Sequence, residues 1–289
     1  MKEAFVQDPD IRTNGRPWQL EECTLETVRK QLHQVAILPL GATEPHNLHL
    51  PYGTDSIEAT WIADTIACRA WQQGAKVLVL PTIPFGTESN LQRFPLAIDI
   101  SPVTLFRFLE EVVQSVVRSG IHRIVLLNSH GGNDLKPFLR QVYGKLDADL
   151  FLCNWYQAIK DRALQICRHP DDHAGEMETS LVLACRPDLV ARNPDGTLAA
   201  DSGQVRPLRF RALQEGWVSL TRPWHLLTTQ SGSGNPHHAS AEKGEQLMEA
   251  ICERLVPFLV ELANSPRDAW FPFDASAPNA SSSSHDQGL

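Results

Sequence analysis

The chain has 289 residues, 42% hydrophobic and 21% charged, with a net charge of −8. This is globular composition and excludes a chain disordered throughout. The acidic balance lacks the basic footprint of a general nucleic-acid binder, and no apolar run approaches the roughly 20 residues that span a bilayer.

The first residues, MKEAFVQDPD, carry no basic stretch followed by an apolar core, so no secretory signal is read there. Residues 1–34 read as a peripheral segment with one helical stretch over 24–33. VAILPLG at 35–41 is a short apolar run closed by Pro39 and Gly41, the pattern of a buried strand. Helical periodicity follows over 55–73, then a second strand at 76–81. Residues 101–120 are the clearest helix, with Ser101 suited to the N-cap, Pro102 to the first turn and Gly120 to the stop. A third strand is predicted at 122–129, a helix from Leu135, a fourth strand near 148–153 and a helix over 176–185. Residues 186–238 are irregular and carry Trp217 and Trp224, whose ordinary use is packing in a core or an interface. A last helix covers 239–262, and the tail 274–289 reads as disordered.

Strands alternating with helices of this length predict parallel crossovers and a three-layer α/β/α sandwich with a mainly parallel central sheet. Residues 35–265 are predicted to form one domain. Six cysteines stand apart with no CxxC pair, which excludes a zinc ribbon or a disulfide scaffold. These features predict a cytoplasmic chain with reduced thiols.

Three segments concentrate the chemistry: GATEPHNLHLPYGTD at 41–55, NSHGGND at 128–134 and DHAGEMETS at 172–180. The first two follow predicted strands directly, at the carboxyl edge where open α/β sheets place their sites. Glu44 and His46 are two apart, so an extended backbone sends both side chains the same way. Asp55 also fits a plain helix N-cap, with Glu58 completing a capping box. His173 and Glu176 are three apart and share a face if both lie on a helix start. By the same spacing Glu178 points elsewhere, as an acid favoured by the helix dipole.

The predicted ligand set is therefore Glu44, His46, Asp55, His130 and Glu176, with His173 nearby. Carboxylate and imidazole without thiolate suit zinc, manganese or iron. Three carboxylates and a bridging hydroxide balance two divalent ions, and Asp55 has two oxygens to share between them. Two such ions acidify water and polarise a carbonyl, so hydrolysis of an amide-like bond is the expected chemistry.

These segments resemble the creatininase family, whose motifs run G-x-x-E-x-H-x-x-H-L-P-x-x-T-D, N-x-H-G-G-N and H-A-G-E-x-E-T-S. GNPHHASAEKG at 234–244 resembles a fourth family stretch, so matches extend over about 35–245 in family order. The resemblance implies a Rossmann-like α/β/α fold, a binuclear metal centre, a small-molecule substrate and a homohexamer. It assigns the same five metal ligands and gives His173 a substrate-binding or acid–base role, with Glu176 as its catalytic neighbour. Trp155, His49 and Glu178 are kept as candidate substrate contacts. Creatininase itself carries a ligating glutamate where this chain has Gly132, and the missing carboxylate is expected from Glu176. FPLAID at 94–99 also departs from the family's FPGT. Both departures point away from creatinine and toward relatives that act on formamides, on a precursor peptide, or on the ring of a cyclic polyol ketone. A metal-binding homologue without activity is the remaining alternative.

Overall fold

The computed structural model describes residues 15–169 and 173–274. Most of the segment assigned to a disordered tail, and the first residues of the peripheral segment, lie outside these. In chain order the main elements are α1 (Leu25–Lys30), β1 (Val35–Leu40), α2 (Thr54–Gln72), β2 (Val77–Val79), α3 (Pro102–Arg118), β3 (Arg123–Asn128), α4 (Lys136–Val142) and β4 (Asp149–Asn154). Then follow α5 (Trp155–Ala158), α6 (Lys160–Ile166), α7 (Glu176–Cys185), α8 (Arg211–Gln214), α9 (Trp224–Leu227) and α10 (Ala241–Asn264).

The strands form one sheet in the order β2-β1-β3-β4, parallel throughout. Apolar runs in β1 and β3 make this possible, because both faces of a parallel sheet are covered by helices. Side chains alternate between the two faces. Val35, Ile37, Val125 and Leu127 pack on one side with Ile62 and Ile66 of α2 and Ile251 and Leu255 of α10. Ala36, Leu38, Leu40, Ile124 and Leu126 pack on the other with Leu105, Leu109 and Val113 of α3 and Phe138 of α4. The architecture is the expected α/β/α sandwich.

Local signals set the helix ends. The Ser101 hydroxyl accepts the Thr104 N–H at the start of α3, and Pro102 occupies its first turn. Thr24 caps α1 through the Thr27 N–H. The Asp55 capping box does not form. Gly53 is the N-cap of α2, and Asp55 lies inside the first turn with its carboxylate turned elsewhere. In α10, Gly244 faces α7 so closely that a Cβ would lie 2.0 Å from the Ser180 carbonyl oxygen. Among the described residues no helix is long and apolar enough to cross a membrane.

Parallel register brings the chemical segments together. Leu40, Asn128 and Asn154, the last residues of β1, β3 and β4, are paired across the sheet. The segments beginning at Gly41 and Ser129 therefore leave the same edge side by side, tied by the Ser129 N–H to the Leu40 carbonyl at 2.9 Å.

Candidate metal centre

Three imidazoles converge above this edge, and each is oriented by the same device. His46 donates Nδ1–H to the Glu44 carbonyl at 3.0 Å, which leaves Nε2 facing Asp55 Oδ1 at 3.5 Å. His173 donates Nε2–H to the Pro45 carbonyl at 2.9 Å, which leaves Nδ1 3.7 Å from Glu44 Oε1. His130 places Nδ1 2.9 Å from Glu44 Oε1 and 3.2 Å from Asp55 Oδ2, while its Nε2 faces Glu88 and the Thr87 carbonyl. Fixing one ring nitrogen on an acceptor turns the other inward as a prospective ligand.

The donor atoms fall into compact triples: Glu44, His46 and His173; Glu44, Asp55 and His130; and His46, Asp55 and Glu178. Within each triple the atoms lie within 4.8 Å of one another. The last two triples share Asp55 alone. Of the predicted ligand set, Glu44, His46, Asp55 and His130 lie in these triples; His173, expected nearby in an acid–base role, lies in one as well, and Glu178 stands there in place of Glu176.

Glu176 does not reach the cluster. Its side chain is paired with Lys243, and Oε2 accepts the backbone N–H of Arg168 at 2.8 Å and of His169 at 3.1 Å. Glu178 lies among the ligand atoms instead, its carboxylate also accepting the Ala174 N–H. The expectation failed because His173 is not helical. It forms a β-bridge with Ser233, Ala174 is left-handed at φ 52°, and α7 begins only at Glu176. Helical spacing cannot be counted across that break. Within α7, Glu176 and Glu178 are about 200° apart around the axis, so one faces α10 and the other the sheet edge. Lys243 belongs to the fourth motif, which this ion pair joins to the third.

Two further candidates, Trp155 and His49, are both buried. Trp155 is 1% exposed in the core, with its indole N–H donated to Ser129 Oγ at 2.8 Å. Ser129 Oγ in turn donates to Glu58 Oε2 at 3.1 Å. His49 is also buried, with Nε2 2.8 Å from Thr179 Oγ1, and stands outside the cluster. Trp224, by contrast, packs its edge against His173 at 5.0 Å between ring centres. Residues 186–238 also pin the first motif: Asn47 donates its N–H to Ser231 Oγ at 2.9 Å and its amide to the Asp201 carbonyl at 3.0 Å.

Sequence reasoning missed Glu58 and Glu88, both fully buried beside the cluster. Glu88 lies in the segment after β2, which leaves the same carboxyl edge. That position was its only signal.

The electrostatics call for a cation. Burial, reinforced by Asp55 and Glu88, holds the Glu44 carboxyl well above the usual range despite His130. Burial opposes ionisation of Asp55 as well, but His46 and His130 hold it low. Burial would push His46 down, yet Asp55, Glu178 and Glu44 lift it to about 10. His173, buried beside His46, is pushed down to about 3. Among the described residues, His46 Nε2 and Asp55 Oδ2 are buried with no hydrogen-bond partner. Buried acids and lone pairs aimed at one another are costly unless a positive ion sits among them. Nitrogen and oxygen donors without sulfur fit zinc, manganese or iron.

Fold and cluster together define an α/β/α protein with buried nitrogen and oxygen groups that could hold a metal ion on the carboxyl edge of its sheet. The model of the creatininase (creatinine amidohydrolase) family matches residues 21–259, and the chain belongs to that family. It is a hydrolase, as its relatives are. The creatinine amidohydrolase of Pseudomonas putida is 29% identical over 253 residues, covering 78% of this chain and 89% of the relative. A mycofactocin precursor peptide peptidase of Mycobacterium tuberculosis is 28% identical over 225 residues, 76% of this chain and 82% of the relative. The crystal structure of a candidate creatinine amidohydrolase from Bacteroides fragilis has a TM-score of 0.80 at 33% identity, covering 88% of this chain and 99% of that one.

Proposed function

We propose that the chain is a binuclear-metal amidohydrolase of a small amide, cyclic amide or formamide. Glu44, Asp55 and His130 would hold one divalent ion, and His46, Asp55 and Glu178 a second. The observation that carries this reading is the pair of triples that share only Asp55, whose two oxygens face different histidines. Glu44, Asp55 and Glu178 supply the three carboxylates that two divalent ions require. Bound there, such ions acidify water and polarise a carbonyl oxygen.

The chain's own residues do the rest. His173 Nδ1 faces the cluster while its Nε2–H is committed to Pro45. Burial keeps His173 neutral, so Nδ1 is free to take a proton from the attacking water in passing and to return it to the leaving nitrogen as the C–N bond breaks. Water's hydroxyl goes to the acyl carbon and its proton to the amine. Trp224 holds the His173 ring from one side, and His46 stacks on it at 4.1 Å between centres.

Elemental analysis of protein reconstituted with Zn²⁺ or Mn²⁺ tests the centre, together with a screen of amides, lactams and formamides. Two ions per chain and metal-dependent release of an amine are expected. One tightly held ion with no second site would remove the binuclear reading.

A further inference from the structure

Glu88 has no place in the mechanism above, yet it is fully buried, and no donor other than the His130 ring reaches its carboxylate among the described residues. Its Oε1 lies 2.7 Å from His130 Nε2. The other neighbour of that nitrogen is the Thr87 carbonyl oxygen, at 3.1 Å. Both are acceptors, so Nε2 carries the proton and Nδ1 is the nitrogen presented to Glu44 and Asp55. We propose that Glu88 is the positioning residue of the metal centre, locking the tautomer and ring plane of His130 so that Nδ1 ligates. This rests on the metal-binding reading above.

The surroundings hold Glu88 in place for that task. Its backbone N–H donates to Asp99 Oδ1 at 2.7 Å. The Thr87 N–H donates to Asn133 Oδ1 at 3.1 Å, and Asn133 Nδ2 donates to Asn128 Oδ1 at 3.0 Å. The segment after β2 is thus clamped to the segment after β3. Gly132 completes the arrangement. A Cβ there would lie 2.2 Å from His130 Nε2 and 2.4 Å from the Thr87 carbonyl oxygen. This chain therefore has no room for a side chain at 132. The carboxylate beside His130 comes instead from Glu88, across the ring, where it acts on the imidazole rather than on the ion. A carboxylate on the far nitrogen fixes a ligating histidine and raises its basicity, and losing such a partner typically weakens metal binding by about 10–100-fold.

The test compares wild type with Glu88→Gln and Glu88→Ala. Co²⁺ and Zn²⁺ affinities are measured by competition with a chelator, alongside the visible spectrum of bound Co²⁺ and a circular-dichroism check of folding. Glu88→Ala should weaken one of the two sites by roughly 10–100-fold and alter the Co²⁺ bands, with full stoichiometry at saturation. Glu88→Gln, which keeps the shape and an accepting oxygen, should fall between this and wild type, and it remains informative if the alanine variant does not fold. Wild-type affinity and spectrum in Glu88→Gln and Glu88→Ala would overturn the proposal. So would loss of a whole equivalent at saturation, since Glu88 would then be a ligand. A wild-type protein that takes up no Co²⁺ or Zn²⁺ would instead remove the metal reading, and this inference with it.

Discussion

Glu176 and Glu178 share the first turn of α7 but face different neighbours: Glu176 pairs with Lys243 and ties α7 to α10, while Glu178 lies with His46 and Asp55 in a group that could hold a metal ion. Glu178→Gln should therefore lower metal occupancy. Glu176→Gln should keep its metal and lose stability by about 1–3 kcal/mol, because the buried carboxylate holds Lys243 and two backbone N–H groups. Metal analysis and thermal melts of the metal-free proteins separate the two. Metal loss in Glu176→Gln with retention in Glu178→Gln would reverse the assignment.

Two glycine substitutions should fail in different ways. Gly132→Ala forces His130 from its place and should reduce metal binding. Gly244→Ala drives a methyl into the Ser180 carbonyl between α10 and α7, where overpacking typically costs about 1–3 kcal/mol. It should lower the melting temperature without changing metal stoichiometry at saturation. Equal metal content in both variants would show that His130 tolerates the shift.

His173→Ala should lower turnover on an amide substrate by about 10²–10⁴ while both ions stay bound, the usual scale for a lost acid–base group. Paired measurement of metal and rate decides it. Loss of metal would move His173 into the ligand set through its triple with Glu44 and His46. Creatinine should be hydrolysed poorly or not at all, and brisk hydrolysis by wild type would overturn that expectation.

The chain is expected to form a homo-oligomer, with a hexamer implied by the family resemblance. Residues 205–220 expose Trp217 at 70% and Phe210 at 63%, with Val218 and Leu220 alongside. Buried in a partner, these side chains would supply an apolar contact. Sedimentation at micromolar concentration checks this, and a monomer of 32.2 kDa would refute it.

Much of this is legible in the sequence itself. Four apolar runs separated by amphipathic stretches predict a parallel sheet, because helices cover both of its faces and every side chain of a central strand is buried. β1 is buried at all six positions, as its sequence VAILPL requires. Ser101, Pro102 and Gly120 fix α3 by local hydrogen bonding and backbone freedom, which need no distant partner. Glu44, His46, Asp55 and His130 were readable because they follow strand ends, and parallel register carries strand ends to one edge.

What lay beyond the sequence depends on contacts distant along the chain. That Glu178 rather than Glu176 faces the cluster follows from the His173–Ser233 bridge and from Lys243, 60 to 67 residues further on, which together set where α7 starts and which acid faces the sheet edge. Trp155 is drawn into the core by apolar packing and by Ser129. Glu88 has meaning only once the segment after β2 is folded against His130. Local rules of spacing hold within an element. Which side chain reaches a site built from several elements is decided by how their ends are packed together, and only the tertiary structure carries that.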